Sequence, residues 1–219
     1  NRYGVLNYPW MQTLNPEPID PSLLTLYHEP GYLALLREAS EGNVRLEMLA
    51  CGLGTQDTPI IKGIYEWSLR ACGGTHSAAM EILAGRAQVA FNPLGGFHHA
   101  MPGNAEGFCY VNDIVIAILD ALRVHPGIKI AYVDFDAHHG NGVQEAFYEE
   151  PRVLFLDLHE TGRTLYPWSG NETETGKGAG LGYTVNMPLE PGTDDEVYAY
   201  VLDSAVFPIL KAFAPDFIV

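Results

Sequence analysis

The sequence predicts an α/β fold in three layers: a central, mainly parallel sheet with helices on both faces. Three observations carry this. Ile128–Tyr132 (IKIAY) and Val153–Leu158 (VLFLDL) are short apolar runs rich in β-branched residues, the pattern of buried strands. Such runs alternate with helical patterns along the chain, which argues for parallel strands covered on both sides. Polar chemistry then gathers just past the strand ends, where an open α/β sheet presents it. The 219 residues suffice for one domain with a real core, and neither an internal repeat nor a linker divides positions 1–219.

In chain order, Arg2–Leu14 carries a helical pattern despite Gly4 and Pro9, and Pro16–Pro21 is a proline-rich connection. After Glu29-Pro30-Gly31, Tyr32–Ala39 (YLALLREA) reads as an amphipathic helix. Ser40–Thr58 is polar, glycine-containing and predicted to be loop. Pro59 opens a long helical pattern, Ile60–Ala84, whose Cys72-Gly73-Gly74 permits either close packing or a break. Gln88–Phe91 is predicted as a short strand. Asn92–Val111 (NPLGGFHHAMPGNAEGFCYV) is glycine-rich and aperiodic, the kind of loop that carries function on a rigid scaffold. Asn112 suits the N-cap of a helix over Asp113–Arg123. Gly142–Glu149 follows the first strand as a helix. Glu160–Gly182 is a long loop whose GKGAGLG lacks the GxGxxG spacing and strand–turn–helix context of a nucleotide site. Tyr183–Leu189 reads as a strand, Asp194–Ala214 as a helix, and a strand opens at Asp216. The chain begins on Asn1 and stops inside that strand, so the expectation is a piece cut at both ends.

Composition narrows the classes. The net charge of −15, from 12 basic and 27 acidic residues, argues against sequence-independent nucleic-acid binding and favours cationic partners. No apolar run approaches the ~20 residues that span a bilayer. Three cysteines without a CxxC pair suggest reduced thiols and a cytoplasmic protein.

The chemistry concentrates in Val133–Gly142, VDFDAHHGNG. Asp134, Asp136 and His138 are two apart, so in an extended strand they point to one side. One Asp oxygen and one His nitrogen make two of the three protein ligands of a catalytic zinc site. A second histidine pair, His98-His99, lies in the other glycine-rich loop. Two such pairs suggest metal-assisted hydrolysis, with a histidine moving the proton and Asp134 and Asn141 available to orient the rings.

Together GGFHHA (Gly95–Ala100), GFCYVND (Gly107–Asp113), VDFDAHHGNG and LHETG (Leu158–Gly162) resemble the zinc-dependent histone deacetylase superfamily. That group includes acetoin-utilisation proteins and acetylpolyamine amidohydrolases, on an arginase-like fold. GLGTQDTP (Gly52–Pro59) and VNMPL (Val185–Leu189) fit as well. The resemblance implies a single deacetylase-like domain over 1–219 that removes an acetyl group from acetyl-lysine or a related acylated amine such as an acetylpolyamine. It makes Asp136 and His138 ligands of Zn2+, His99 the general base and then acid, His98 its companion, and Asp134 and Asn141 their partners. Gly107, Phe108 and Tyr166 fall on the acyl-lysine tunnel. Glu47 is a candidate for the rim acid and Arg2 for an internal channel. It places a K+ against main-chain carbonyls of Asp134, Asp136, His138 and Leu158 and the side chain of Asp134, with Asp157 where many members have a hydroxyl. Strand alternation sets Asp157 opposite Leu156 and Leu158, hence outward unless it turns to the cation. A third zinc ligand and a transition-state tyrosine are implied beyond Val219. The chain alone is therefore expected to bind zinc poorly, to turn over little, and to self-associate as a homo-oligomer through an exposed last strand with Phe217 and Ile218. Two rivals remain: a binuclear ureohydrolase, which needs a carboxylate at Gly140, and a non-catalytic acyl-lysine binder.

Overall fold

The computed structural model describes residues 8–219. Its elements are a 3-10 turn at Pro21–Leu26, then α1 (Pro30–Ser40), α2 (Leu46–Ala50), α3 (Ile64–Leu83), α4 (Asp113–Val124), β1 (Ile130–Asp134), α5 (Asn141–Phe147), β2 (Val153–Glu160), β3 (Thr184–Leu189), α6 (Asp195–Val201), a π-helical turn (Leu202–Val206), α7 (Phe207–Phe213) and β4 (Phe217–Ile218). The four strands form one sheet in the order β3-β2-β1-β4, and every pairing is parallel.

Alternation along the strands divides the core. Ile130 and Tyr132 of β1 and Val153 and Phe155 of β2 pack under α4 and α5. Ala131, Leu154, Leu156 and Leu158 point the other way, onto Val206 and the partly buried faces of α6 and α7. Helices therefore cover both faces of the sheet, which is the predicted three-layer fold. Coverage on both sides also explains the continuous apolar runs: neither face of β2 meets water until Glu160. Helix α4 is nearly all apolar because it is wedged between α3 and the sheet, and Asn112 caps it by accepting from the Val115 N–H at 3.1 Å.

Several expectations are corrected. Gln88–Phe91 is not a strand: no strand pairs with it among the described residues, and Val89 and Phe91 are exposed. Apolar alternation alone forms no ladder without a neighbour. Residues 8–14 are turn and coil rather than helix, and Arg2 lies outside the described residues. Ser40–Thr58 holds the short helix α2. The glycines in α3 allow close packing rather than a break. A Cβ at Gly73 would lie 2.1 Å from the Glu17 carbonyl oxygen, because the proline-rich segment crosses the helix there. Asp194–Ala214 is one helical run, widened into a π turn just before Pro208, whose missing N–H interrupts the hydrogen-bond ladder. Phe217 is buried beside Ile130 rather than exposed, whereas Ile218 is half-exposed.

Candidate active site

The site is built where the loop before α4 meets the C-terminal end of β1. The buried Asp113 carboxylate at the start of α4 ties the loop down by accepting from the Gly96 and Phe97 N–H groups (2.8 Å to Phe97) and from the Thr75 hydroxyl. The Gly142 N–H donates to the His98 carbonyl at 3.0 Å. A Cβ at Gly142 would lie 2.5 Å from the Ala100 carbonyl oxygen, so the Gly-Asn-Gly turn fits only because that position is bare.

These anchors set two histidines side by side. His98 Nδ1 is 2.7 Å from Asp134 Oδ2, and His99 Nδ1 is 2.8 Å from Asn141 Oδ1. The two Nε2 atoms converge at 3.1 Å. Asp134 is held in turn by the Tyr132 hydroxyl and by the Asp136 N–H at 2.9 Å. Burial works against a charged His98, but the Asp134 carboxylate outweighs it and raises the His98 pKa. Burial also works against the Asp134 carboxylate, and His98 and Tyr132 overcome it, so Asp134 titrates below its ordinary range. His99 has no carboxylate. Burial and the neighbouring His98 charge lower it to about 4. At neutral pH His99 is therefore neutral, and its Nε2 faces that of His98, whose protonated form the Asp134 carboxylate favours.

Asp136 and His138 stand beside this pair, half-exposed, with the His138 ring 6.0 Å from that of His99. Asp136 Oδ1 accepts from the His138 N–H at 2.8 Å and lies 2.8 Å from His138 Nδ1. Asp136 Oδ2 accepts no hydrogen bond from the described residues. These N–H contacts outweigh partial burial and lower the Asp136 pKa. Among the described residues no group of three or more His, Cys, Asp or Glu side chains gathers to hold a metal ion. The donors present nevertheless fit zinc in kind, one oxygen and one nitrogen at a strand end with an open side. Gly140 leaves no room for a bridging carboxylate: a Cβ there would lie 2.7 Å from Asp134 Oδ2. That disfavours the binuclear arrangement.

The residues expected to line a tunnel divide. Gly107 lies flat on His99, where a Cβ would come within 2.4 Å of Cδ2, and it has φ +51°. The Tyr166 ring stands edge-on to His99, 5.2 Å between centroids. Phe108 is exposed, and Glu47 is exposed on α2 with no hydrogen bond to this cluster. Asp157 takes the inward of its two alternatives. It is fully buried, in register with Asp134, and not outward: Oδ1 is 2.6 Å from His159 Nδ1 and Oδ2 accepts the Gly140 N–H at 2.7 Å. The outward, solvated alternative falls because both faces of β2 are covered.

Sequence reasoning missed His159, Tyr132 and Glu106. The first two were within reach, since Asp157/His159 and Tyr132/Asp134 are each two apart in a strand, the spacing that had singled out Asp134, Asp136 and His138. Glu106 carried no such signal. Its carboxylate accepts from the Tyr166 hydroxyl at 2.7 Å and from Asn141 Nδ2 at 3.3 Å, contacts made only when two loops meet the start of α5.

The arrangement belongs to a known class. The family described as "Histone deacetylase domain" matches residues 2–219, and the chain belongs to that family. The chain is 37% identical to the Acetoin utilization protein AcuC of Bacillus subtilis over 225 residues, covering 98% of this chain and 58% of that protein. It is 35% identical to Histone deacetylase 1 of Homo sapiens over 220 residues, 99% of this chain and 44% of that one. The crystal structure of an HDAC homologue from Aquifex aeolicus superposes with a TM-score of 0.86 at 35% identity, over 93% of this chain and 55% of that one. The chain thus spans about half the length of the curated relatives it matches.

Proposed function

We propose that this chain supplies the histidine relay and two metal ligands of a zinc-dependent amidohydrolase that removes an acyl group from acetyl-lysine or a related acylated amine. The observation that carries the reading is the convergence of His98 Nε2 and His99 Nε2 at 3.1 Å beside Asp136 and His138. Asp136 and His138 would hold Zn2+, which supplies Lewis-acid polarisation of the acyl carbonyl and acidification of a water. His99, neutral at pH 7, takes the water's proton at Nε2 as the water attacks the carbonyl, and afterwards gives it to the departing amine. His98, oriented by Asp134 and favoured in its protonated form by that carboxylate, steadies negative charge developing beside it. The apolar stem of the substrate lies along Gly107, Phe108 and Tyr166, and the acidic chain suits an amine-bearing substrate. A K+ under the motif would rest chiefly on the carbonyls of Asp134, Asp136, His138 and Leu158, because both Asp157 oxygens are already engaged by His159 and Gly140. No described helix is long and apolar enough to cross a membrane, and the three described cysteines are free and buried, in keeping with a reduced cytoplasmic protein.

The test is acetate release by the zinc-loaded whole protein from an acetyl-lysine peptide and from an acetylated polyamine. Zinc-dependent release from at least one is expected. A folded, zinc-loaded protein that cleaves neither would contradict the proposal.

A further inference from the structure

We propose that Glu106 is a positioning residue: it fixes which way round the Asn141 carboxamide stands, and through it which nitrogen of His99 carries the proton. The proposal rests on the reading of His99 as the base.

A carboxamide is nearly symmetric in shape but not in chemistry, since one end accepts and the other donates. If Asn141 turns its oxygen to His99, Nδ1 must be the N–H and Nε2 keeps its lone pair. If it turns its NH2 group, Nδ1 becomes the acceptor and the proton moves to Nε2, where the ring is useless as a base. Asn141 and His99 alone do not choose between these states. A carboxylate does choose, because it only accepts. Glu106 Oε1 lies 3.3 Å from Asn141 Nδ2, so only the NH2 end can face it, and the carbonyl is left 2.8 Å from His99 Nδ1.

Glu106 is itself held. The Tyr166 hydroxyl donates to the same Oε1 at 2.7 Å, and Asn104 Nδ2 is 3.5 Å from Oε2. The Glu106 and Cys109 backbones exchange two hydrogen bonds, at 3.0 and 2.8 Å, which fix where the side chain starts. Tyr166 therefore both walls the site and steadies the residue behind it. An aspartate at 141 would need no such device, because both its oxygens accept, and it would be repelled by Glu106. Glu106 and Asn141 are thus complementary, each the wrong choice beside a different partner.

The test uses histidine tautomers, read by two-bond proton–nitrogen NMR on the 15N-histidine-labelled chain near neutral pH, with His99 assigned by the loss of its signals in His99→Gln. The wild type is expected to show His99 as the Nδ1–H tautomer alone. Glu106→Gln, whose amide presents either end, is expected to give a mixture. Tyr166→Phe, which removes only the anchoring hydroxyl, should shift the same way by less, and it decides the matter if Glu106→Gln does not fold. A pure Nδ1–H tautomer in the folded variants would overturn the proposal. In the active whole protein, Glu106→Gln should lower kcat by roughly two- to tenfold, the worth of one hydrogen bond, with KM little changed. In an Asn141→Asp background the same substitution should raise kcat, and an equal loss in both backgrounds would overturn the proposal. A wild type that releases no acetate while its His99 tautomer still responds to Glu106→Gln would refute the functional reading and leave the positioning role standing.

Discussion

The sheet carries two histidine–carboxylate couples side by side, and they do different things. The carboxylates of Asp134–His98 and Asp157–His159 lie on adjacent parallel strands, in register, at 2.7 and 2.6 Å from their histidines. In both, the carboxylate raises the pKa of its histidine against the effect of burial. The difference lies at the far nitrogen. His98 Nε2 meets His99, and beyond it the half-exposed Asp136 and His138. His159 Nε2 is closed by the Gly170 carbonyl at 2.9 Å, and neither side chain of that couple reaches solvent. Burial also raises Asp157 to about 6 against the pull of His159, and a proton on the sealed pair has no outlet. A histidine–carboxylate couple moves protons only when its second nitrogen opens onto something that can take or give one. When capped, it is a buried hydrogen-bonded pair.

The sharpest contrast is therefore in stability. His159→Ala leaves Asp157 buried without its partner and should cost about 3–5 kcal/mol, read by urea denaturation. The turnover of the molecules that remain folded should change little. A large fall in kcat per folded molecule would mean that the sealed couple takes part in the chemistry and would erase the distinction.

A smaller effect is expected at the open couple from Gly107→Ala. Its left-handed backbone costs a side-chain-bearing residue about 1–2 kcal/mol, and the new Cβ displaces the His99 ring. Turnover should fall further than the lost stability accounts for, because His99 shifts against its water. Unchanged turnover would show that the fit of Gly107 on His99 is mere packing.

A further effect, spread over the acid limb, is in pH dependence and concerns a histidine outside both couples. Buried His28 accepts the Asn112 N–H at 2.9 Å through Nε2, while its Nδ1 has no partner in hydrogen-bonding geometry. Burial lowers its pKa to about 4, with the Pro102 and Met101 carbonyls nearby offsetting a little of that. Above pH ~6.5 both folded and unfolded forms are neutral. Between that pH and about 4 the unfolded chain binds a proton that the folded chain excludes, so stability falls as pH falls. The contribution is at most ~1.4 kcal/mol per pH unit. His99 and His139, also lowered to about 4, act in the same direction. His98 and His159, raised in the fold, act oppositely, their contribution being full below pH ~6.5 and lost as pH rises through their folded values. Comparing wild type with His28→Phe isolates the single residue, whose removal should flatten the acid limb. Identical limbs would show that His28 is protonated in the folded protein.

Much of this was legible in the sequence, for physical reasons. Strands β1 and β2 announce themselves because burial on both faces demands continuous apolar runs. Asp134, Asp136 and His138 were legible because a strand repeats every two residues. The pairing of His98 with Asp134 followed only from family resemblance, since it joins residues 36 apart through tertiary contact. Gln88–Phe91 misled because strand character is completed by a neighbour that the local sequence does not contain. Glu106 stayed hidden because its role depends on Asn141 at the start of α5 and Tyr166 from another loop arriving beside it.

The central claim is that the open couple, through His99, moves the proton. Its most direct test is the kcat of His99→Ala in the zinc-loaded whole protein, measured together with the affinity of a hydroxamate inhibitor. A positioned acid–base group is worth about 10²–10⁴-fold, so a loss of that size is expected, with inhibitor affinity falling far less. Near-normal turnover by His99→Ala would contradict the account.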